Sequence, residues 1–384
     1  MSKQFSPQML MDEAVESTGL ADFGTIPFRD GLEALVEAIN AQDDWYENAL
    51  LYLHAKIVQL LANRLQITDF VGANPTIADE EIVQPLIIVG LPRSGTTILQ
   101  TLLALDPQCR FLRNWETAMN ILPLPRLLHS AADPRIPAFH STVGGLLEMA
   151  PALNAINGLN FLAGGTAECQ NLMAHAFRSM EYCAGFGLRA YGEWLLACDM
   201  APGYRYHKLL LQLLQHHMPN QHWVLKAPMH LIALDRLLDT YPDARIVFTH
   251  RAPFDAMLSG SSLVYHWSTL ASEHPDKKQI GSWFPGLWAR ALQKALTARA
   301  PMAQDRFLDI YFDQFNNDPI GTVNSIYAHF QMTVSPGHAK RMAVWLRDNP
   351  RSSFGKHAYK ADDFGIIPEI EESRFAFYKT EFNV

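Results

Sequence analysis

The sequence predicts a three-layer α/β protein in which helices cover both faces of a central parallel sheet, with an N-terminal helical extension and a helical insertion. Short, wholly apolar runs alternate along the chain with segments of helical periodicity, which is typical of buried parallel strands joined by helices. A glycine-bounded turn follows the first of these runs and leads into a helical pattern. The 384 residues, 48% of them hydrophobic, also suffice for a large core.

The first part of the chain is predicted to be helical. Apolar residues recur at helical intervals between about residues 31 and 65, which indicates two helices packed on another layer. These residues include Leu32, Leu35, Ile39, Leu53, Ile57 and Leu60. The pattern changes after a polar stretch that ends near Gln84. We therefore divide the chain into an N-terminal helical extension over residues 1–82 and an α/β domain over residues 83–384.

Four apolar runs predict the strands of the sheet, at 86–89, 223–225, 245–249 and 307–311. A short additional strand is expected at 110–112. Between about residues 137 and 218 the sequence has helical periodicity and loops but no strand pattern. This helical insertion is either a ligand-binding region or lid, or a subdomain that packs against the sheet, and the sequence leaves both interpretations open.

The turn after the first strand runs from Gly90 to Gly95, and Thr96 and Thr97 open the following helix. A strand, a tight turn and a helix N-terminus form an anion site, because free backbone N–H groups and the helix dipole both favour negative charge. The G-x-x-x-x-G spacing is that of a nucleotide P-loop and predicts a P-loop NTPase-like fold, but Thr96 stands where a nucleotide hydrolase has lysine. The positive charge lies instead within the loop, on Arg93, whose planar guanidinium suits an oxyanion with several equivalent oxygens.

Two further cations are predicted at the carboxyl ends of strands, where ligands bind in open α/β sheets. Lys226 follows the strand at 223–225, and a lysine at a buried strand end is costly unless it has an anionic partner. Arg251 follows the strand at 245–249. A structural ion pair is the alternative interpretation for both residues.

Residues 85–97 resemble the 5′-phosphosulfate loop of the sulfotransferases that use 3′-phosphoadenosine 5′-phosphosulfate (PAPS). The resemblance is strongest to the branch that includes the tyrosylprotein sulfotransferases and many bacterial relatives. It implies that the 5′-phosphosulfate is held by residues of the loop and of the first helical turn, namely Arg93, Ser94, Gly95, Thr96 and Thr97.

Residues 245–259 resemble the 3′-phosphate motif of the same family, in which an arginine at a strand end and a serine eight residues later bind the 3′-phosphate. Arg251 and Ser259 have that spacing. The 3′-phosphate distinguishes PAPS from ADP-like nucleotides, so the resemblance assigns donor specificity to this pair. A looser resemblance over residues 351–357 implies a basic loop that closes over the 3′-phosphate through Arg351, Gly355 and Lys356.

The resemblance also implies the catalytic groups. Glu116 matches the family position of the general base, and Trp115 beside it would shield the carboxyl group from water. Arg93 and Lys226 would stabilise the sulfuryl group and the leaving oxygen. His230, four residues after Lys226, is the second candidate for the base.

The composition argues against several classes of partner. The net charge of −8 gives no positive field over the whole protein that would bind nucleic acid. No apolar run approaches the ~20 residues of a membrane span, and the start of the chain does not resemble a secretory signal. The four cysteines have no C-x-x-C spacing and are expected to be reduced thiols. We therefore expect a cytoplasmic protein without a metal site, as a monomer or a homo-oligomer.

The predicted function is transfer of a sulfuryl group from PAPS, the co-substrate, to the hydroxyl group of a small, apolar acceptor by in-line displacement. One alternative is a P-loop nucleotide kinase, which would require lysine in place of Thr96 and a magnesium-binding aspartate at a strand end. The other is a non-catalytic nucleotide-binding protein on the same fold.

Overall fold

The computed structural model of the chain describes residues 5–118, 120–122, 133–216, 218, 222–350 and 359–384. A parallel sheet of five strands in the order β2-β3-β1-β4-β5 lies at its centre. The strands are β1 Leu86–Gly90, β2 Cys109–Arg110, β3 His222–Lys226, β4 Arg245–His250 and β5 Phe307–Tyr311. The four predicted strands are present, and the short strand expected at 110–112 is the two-residue strand β2, which begins one residue earlier.

The central strand β1 shows why the fold has three layers. Leu86 pairs with Val224 of β3 on one side and with Arg245 of β4 on the other. Along β1 the side chains alternate between two buried clusters, with Leu86 and Ile88 in one and Ile87 and Val89 in the other. Because both faces are covered, the strand must be apolar at every position, as its sequence is. The predicted α/β fold with a central parallel sheet is therefore confirmed.

The helices of the described residues are numbered in chain order. The α-helices are α1 Pro7–Thr18, α2 Arg29–Asn40, α3 Glu47–Ala73, α4 Thr96–Ala104, α5 Asn114–Ala118, α6 Arg135–Met149, α7 Ala152–Asn157, α8 Gln170–Met173, α9 Met180–Phe186, α10 Arg189–Ala197, α11 Ala201–Gln215, α12 Leu234–Thr240, α13 Pro253–Ser268, α14 Lys277–Arg299, α15 Phe312–Asn317, α16 Pro319–His329, α17 His338–Asp348, α18 Ala361–Phe364, α19 Pro368–Arg374 and α20 Ala376–Phe382. Short 3-10 helices are found at Pro75–Asp79, Gly158–Phe161, Ala174–Ala176, Pro228–Ile232 and Gln304–Arg306.

The N-terminal helices α1 to α3 share a hydrophobic core with the sheet. Leu32 of α2 and Leu53 of α3 are fully buried in the same cluster as Ile87 of β1. The helix α2 also packs closely against the insertion at Gly31. A Cβ atom at this position would lie 2.5 Å from the carbonyl oxygen of Phe177, so a larger residue would not fit. The division of the chain at residue 82 stays a prediction.

The described part of the segment between β2 and β3 contains the helices α5 to α11, joined by 3-10 turns and loops. The bounds of the insertion, at about residues 137 and 218, stay a prediction. One stretch of this insertion is extended and follows the sheet. Thr166 forms an antiparallel bridge with Arg113, and the amide of Ala167 donates to the carbonyl oxygen of Leu112 over 2.7 Å. The amide of Cys169 donates to the carbonyl oxygen of Lys226 over 2.9 Å. These bonds bring the insertion to the carboxyl end of β3.

Candidate active site

The loop between β1 and α4 has the backbone geometry of an anion site. Gly90, Arg93 and Gly95 have positive φ values of 153°, 68° and 85°. A Cβ atom on Gly90 would lie 2.1 Å from Thr249 Oγ1, so the strand β4 leaves room for glycine alone at this position. Gly95 directly precedes α4, and its left-handed backbone turns the chain into the helix. The loop therefore surrounds the free N–H groups at the start of α4.

The hydroxyl groups of the loop are held by short contacts. Ser94 is buried, and its Oγ donates to the carbonyl oxygen of Leu91 over 2.6 Å and lies 2.7 Å from Thr249 Oγ1. Thr96 is also buried. The hydroxyl of Thr97, in the first turn of α4, accepts a hydrogen bond from Lys226 Nζ over 3.3 Å. The first helical turn thus contacts the end of the neighbouring strand β3.

Lys226 is the last residue of β3, and its side chain is fully buried. Besides the bond to Thr97, its Nζ donates to Glu168 Oε1 over 2.5 Å. The side chain of Glu168 is 18% exposed, so this ion pair is closed on the lysine side and open on the carboxylate side. A buried ammonium group requires an anionic partner, and Glu168 supplies one.

Arg93, Arg251 and Ser259 meet at the ends of β1 and β4. Arg251 Nη1 donates to the carbonyl oxygen of Arg93 over 2.6 Å. Arg93 Nε donates to Ser259 Oγ over 3.1 Å, and its Nη1 donates to the carbonyl oxygen of Ile156 in α7 over 3.1 Å. The guanidinium of Arg251 also lies over the ring of Phe312, 4.3 Å from its centroid. The predicted 5′-phosphosulfate and 3′-phosphate residues are therefore in direct contact.

The charges in this region favour an anion. Burial lowers the pKa of Arg93, and the positive charge of Arg251 lowers it further, against the opposite effect of Tyr359. A bound phosphate or sulfate would relieve the repulsion between the two arginines and replace the water that Arg93 has lost. The protein as a whole carries a net charge of −8, so the positive potential is local.

Glu116, the predicted general base, lies in a buried ion pair. Its side chain is fully buried, and Arg110 Nη2 donates to its Oε1 over 2.5 Å. Its Oε2 accepts from the backbone amide of Arg113 over 3.3 Å. The guanidinium of Arg110 lies over the ring of Trp223, 4.9 Å from its centroid. Both carboxylate oxygens of Glu116 therefore have partners within the protein.

Trp115 and Arg113 shortly precede Glu116 in the sequence, and their side chains lie in different surroundings. Trp115 packs with Phe139 and Ala163 of the insertion. Arg113 is buried, and its Nη1 has no hydrogen-bond partner among the described residues. Burial and the neighbouring Arg110 lower the pKa of Arg113 to about 10. An additional positive charge thus lies next to the carboxylate.

His230, the second candidate for the base, is fully buried behind the end of β3. Its Nδ1 lies 3.0 Å from the hydroxyl of Tyr204. Burial lowers the pKa of His230 well below its ordinary value, and the adjacent His207 lowers it further. The imidazole is therefore neutral at neutral pH.

A hydrogen-bond network holds the end of β4 behind Arg251. His250 Nε2 lies 2.7 Å from Asp309 Oδ1, and Arg299 binds both oxygens of Asp309 at 2.6 and 2.7 Å. The hydroxyl of Tyr378, in α20, lies 2.9 Å from His250 Nδ1 and accepts a hydrogen bond from the backbone amide of Arg251. This network fixes the backbone from which the Arg251 side chain extends.

The sequence did not predict two residues of this region, Glu168 and Tyr378. Glu168 lies within a glycine-containing stretch without hydrophobic periodicity, and its place is set by backbone bonds to residues far away in the chain. Tyr378 repeats the apolar face of a helix and carries no local signal of its contact with β4. The predicted residues Arg351, Gly355 and Lys356 lie outside the described residues.

None of the described helices is long and apolar enough to span a membrane. No group of three or more histidine, cysteine, aspartate or glutamate side chains in the described ranges is arranged to hold a metal ion.

Comparisons with known sequences and structures indicate the family of the chain. The sequence profile of the sulfotransferase family matches residues 85–336, from the start of β1 to beyond α16. The crystal structure of the sulfotransferase STF1 from Mycobacterium tuberculosis H37Rv is 29% identical, with a TM-score of 0.85 over 98% of this chain and 100% of that one. The sulfotransferase STF9 from Mycobacterium avium is 26% identical, with a TM-score of 0.88 over 100% of this chain and 98% of that one. Comparison with curated protein sequences found no match. The profile match covers more than half of the chain, and the protein belongs to the sulfotransferase family.

Proposed function

We propose that the protein transfers a sulfuryl group from PAPS to the hydroxyl group of a small, apolar acceptor. The observation that supports this proposal is the contact between residues at the carboxyl ends of three strands. The loop after β1, Lys226 at the end of β3, and Arg251 after β4 lie in mutual contact through Thr97, Arg93 and Ser259. A donor with a 5′-phosphosulfate and a 3′-phosphate has two anionic groups at a fixed separation, and this edge of the sheet offers two adjoining sets of cations.

In this proposal the loop and the first turn of α4 bind the 5′-phosphosulfate. The backbone N–H groups from Ser94 to Thr97 would donate to its oxygens, and the helix dipole would add to the attraction. Arg251 and Ser259 would bind the 3′-phosphate, with Arg93 at the boundary between the two anions. By resemblance to the family, Arg351, Gly355 and Lys356 would complete the 3′-phosphate site.

In this proposal the transfer step depends on positively charged side chains that the fold holds at the site. Sulfuryl transfer spreads negative charge over the equatorial oxygens and the leaving oxygen, as phosphoryl transfer does. Lys226, buried and aimed at the first turn of α4, would stabilise the leaving oxygen, and Arg93 would stabilise the sulfuryl oxygens. Because these side chains supply the charge, the proposal includes no metal ion. The resemblance to the family assigns the general base to Glu116, and this assignment stays a prediction.

The acceptor would bind against the insertion. Phe161 and Trp267 lie with their ring centroids 6.1 Å apart, and Trp115 packs with Phe139 and Ala163. The helix α7 contributes the carbonyl oxygen that Arg93 binds, so the apolar insertion lies directly beside the loop. Aromatic and aliphatic side chains beside a few cations support an acceptor that is mainly apolar, with one reactive hydroxyl group.

A thermal-shift experiment with nucleotides tests the proposed donor. The protein would be melted with 3′-phosphoadenosine 5′-phosphate (PAP), ADP or ATP, each with EDTA and with magnesium. A ligand that binds the folded state alone raises the free energy of unfolding by ~2.7 kcal/mol at a hundredfold excess over its dissociation constant. We expect a large shift with PAP that EDTA does not reduce, and a much smaller shift with ADP.

The alternative outcomes have clear meanings. Stabilisation by ATP with magnesium, and not by PAP, would support a nucleotide kinase instead. Strong binding of PAP without release of PAP from PAPS, in the presence of mixed phenols and alcohols, would support a non-catalytic nucleotide-binding protein.

A further inference from the structure

Two glutamates lie next to the proposed donor site, and they differ in their access to a substrate. Glu116 is fully buried, with Arg110 on one oxygen and the Arg113 amide on the other. Glu168 is partly exposed and contacts Lys226, which in turn contacts Thr97 of the loop. A general base must reach the hydroxyl proton that it removes, either directly or through one water molecule. Glu168 is partly exposed beside Lys226, whereas Glu116 is fully buried, so Glu168 is the more accessible of the two carboxylates.

The backbone holds Glu168 firmly on the sheet. The preceding residue, Ala167, donates to Leu112, and the following residue, Cys169, donates to Lys226. The side-chain amide of Gln100, in α4, lies 3.4 Å from the carbonyl oxygens of both Ala167 and Val224. The residue is therefore tied to β3 and to α4, the two elements that present Lys226 and the loop. A catalytic group on such a rigid support keeps its position without help from the substrate.

The contact between Glu168 and Lys226 can change when an anion arrives. Lys226 is buried and requires a negative partner, which Glu168 provides in the protein without donor. The phosphosulfate of PAPS would supply other oxygens to the same ammonium group. Glu168 would then give up part of its bond to Lys226, and its partly exposed carboxylate would accept a proton from the acceptor.

We propose that Glu168 is the general base of the transfer, an inference that rests on the proposed sulfotransferase function. In the step, the acceptor hydroxyl gives its proton to a carboxylate oxygen of Glu168 while its oxygen forms a bond to sulfur. The bond between sulfur and the 5′-phosphate oxygen breaks at the same time, and that oxygen keeps the electron pair. Lys226 stabilises the charge on the leaving oxygen. The products are the sulfated acceptor, PAP and a proton, which Glu168 releases to solvent.

The test compares Glu168→Gln with the unchanged protein, using release of PAP from PAPS with phenols of graded acidity and with water as acceptors. Glutamine can still accept a hydrogen bond from Lys226, but it cannot take up a proton. We expect kcat to fall by ~10²- to 10⁴-fold, the usual contribution of a general base, while KM for PAPS stays the same or decreases. The loss should shrink with phenols acidic enough to be ionised in the assay, because these acceptors need no base. Glu168→Asp should recover part of the activity.

The controls separate this role from a structural one. Glu193→Gln changes a carboxylate in an exposed ion pair with Arg290, remote from the sheet edge, and should not alter turnover. PAP binding by Glu168→Gln verifies that the variant is folded. If Glu168→Gln keeps more than one tenth of the turnover, or loses the same factor with every phenol, Glu168 is a counterion of Lys226 and the proposal is wrong. It is also wrong if Glu116→Gln, corrected for its folded fraction, shows the dependence on phenol acidity instead.

A different result is expected if the proposed sulfotransferase function itself is wrong. An unchanged protein that neither binds PAP nor releases it from PAPS overturns the sulfotransferase activity and this inference together. An unchanged protein that transfers normally, with a fully active Glu168→Gln variant, overturns the inference alone.

Discussion

Two ion pairs at the same edge of the sheet have the same distance between nitrogen and oxygen, but one is enclosed by the protein and the other is partly exposed to solvent. The pairs Arg110–Glu116 and Lys226–Glu168 each join a nitrogen and an oxygen 2.5 Å apart. In the first pair both side chains are essentially buried, whereas in the second the glutamate is 18% exposed. The first pair is also enclosed by the ring of Trp223, and the second lies against the first turn of α4.

The comparison shows that a short distance does not by itself distinguish a structural ion pair from one that takes part in ligand binding. A fully enclosed pair is costly to separate, because each buried charge would be left without a partner. A pair that is open on one side can replace one partner when a charged ligand arrives. The difference lies in burial and in the neighbouring groups, and the following experiments compare the two pairs and the residues beside them.

The largest expected effect is on stability. Glu116→Gln leaves the buried Arg110 without a negative partner, and breaking such a pair costs ~3–5 kcal/mol. Glu168→Gln should cost less, about 1–2 kcal/mol, because water can reach the open side of the site and hydrate its groups. Denaturant titration of the two variants and of the unchanged protein measures the difference. Equal losses would show that the two pairs are equally enclosed and would remove the basis of the comparison.

The second effect is on affinity for PAP. Under the proposed function Glu168 would compete with an anionic ligand for Lys226 and repel it, so Glu168→Gln should bind PAP about tenfold more tightly, equivalent to about 1.4 kcal/mol. Glu116→Gln should bind PAP with unchanged affinity, since its partner Arg110 is shielded from the ligand. Isothermal titration calorimetry at constant ionic strength gives both values. Weaker binding of PAP to Glu168→Gln would mean that the carboxylate helps to place Lys226 and does not compete for it.

The smallest expected effect is on the alkylation rates of two cysteines, each next in sequence to a member of one ion pair. Cys109 precedes Arg110, Cys169 follows Glu168, and burial raises the pKa of each thiol to about 12. At pH 8 both should react very slowly and at similar rates with iodoacetamide, while the partly exposed Cys198, with a pKa raised to about 11, reacts at least tenfold faster. Mass spectrometry of the labelled peptides measures the three rates. Fast labelling of Cys169 would show that the segment carrying Glu168 opens locally, so that the ion pair is broken by backbone motion.

The sequence was sufficient to predict the positions of the site residues that follow a strand. Lys226 and Arg251 stand at the ends of predicted strands, and Arg93 lies in the loop after another. Parallel strands end at one edge of a sheet, so the proximity of the three residues could be predicted. The glycines of the loop were also informative, because Gly90 and Gly95 take backbone conformations that other residues rarely adopt.

The environment of each glutamate could not be predicted in the same way. Glu116 stands six residues after Arg110, and no local pattern shows that the chain turns back to pair them. Glu168 reaches the site through backbone bonds to Leu112 and Lys226, residues that lie more than fifty positions away in the chain. Such contacts are products of the tertiary fold, and one sequence contains no periodic signal for them.

The bond between Tyr378 and the end of β4 has a consequence for the folding pathway. The sheet can form once its strands meet, but the backbone amide of Arg251 gains its bond to Tyr378 only after α20 has docked. Contacts between residues so distant in the chain require the closure of a long loop and form slowly. In a chain with a complete sheet and a detached α20, the Arg251 backbone would lack this contact, so the proposed 3′-phosphate site would be completed only when α20 docks.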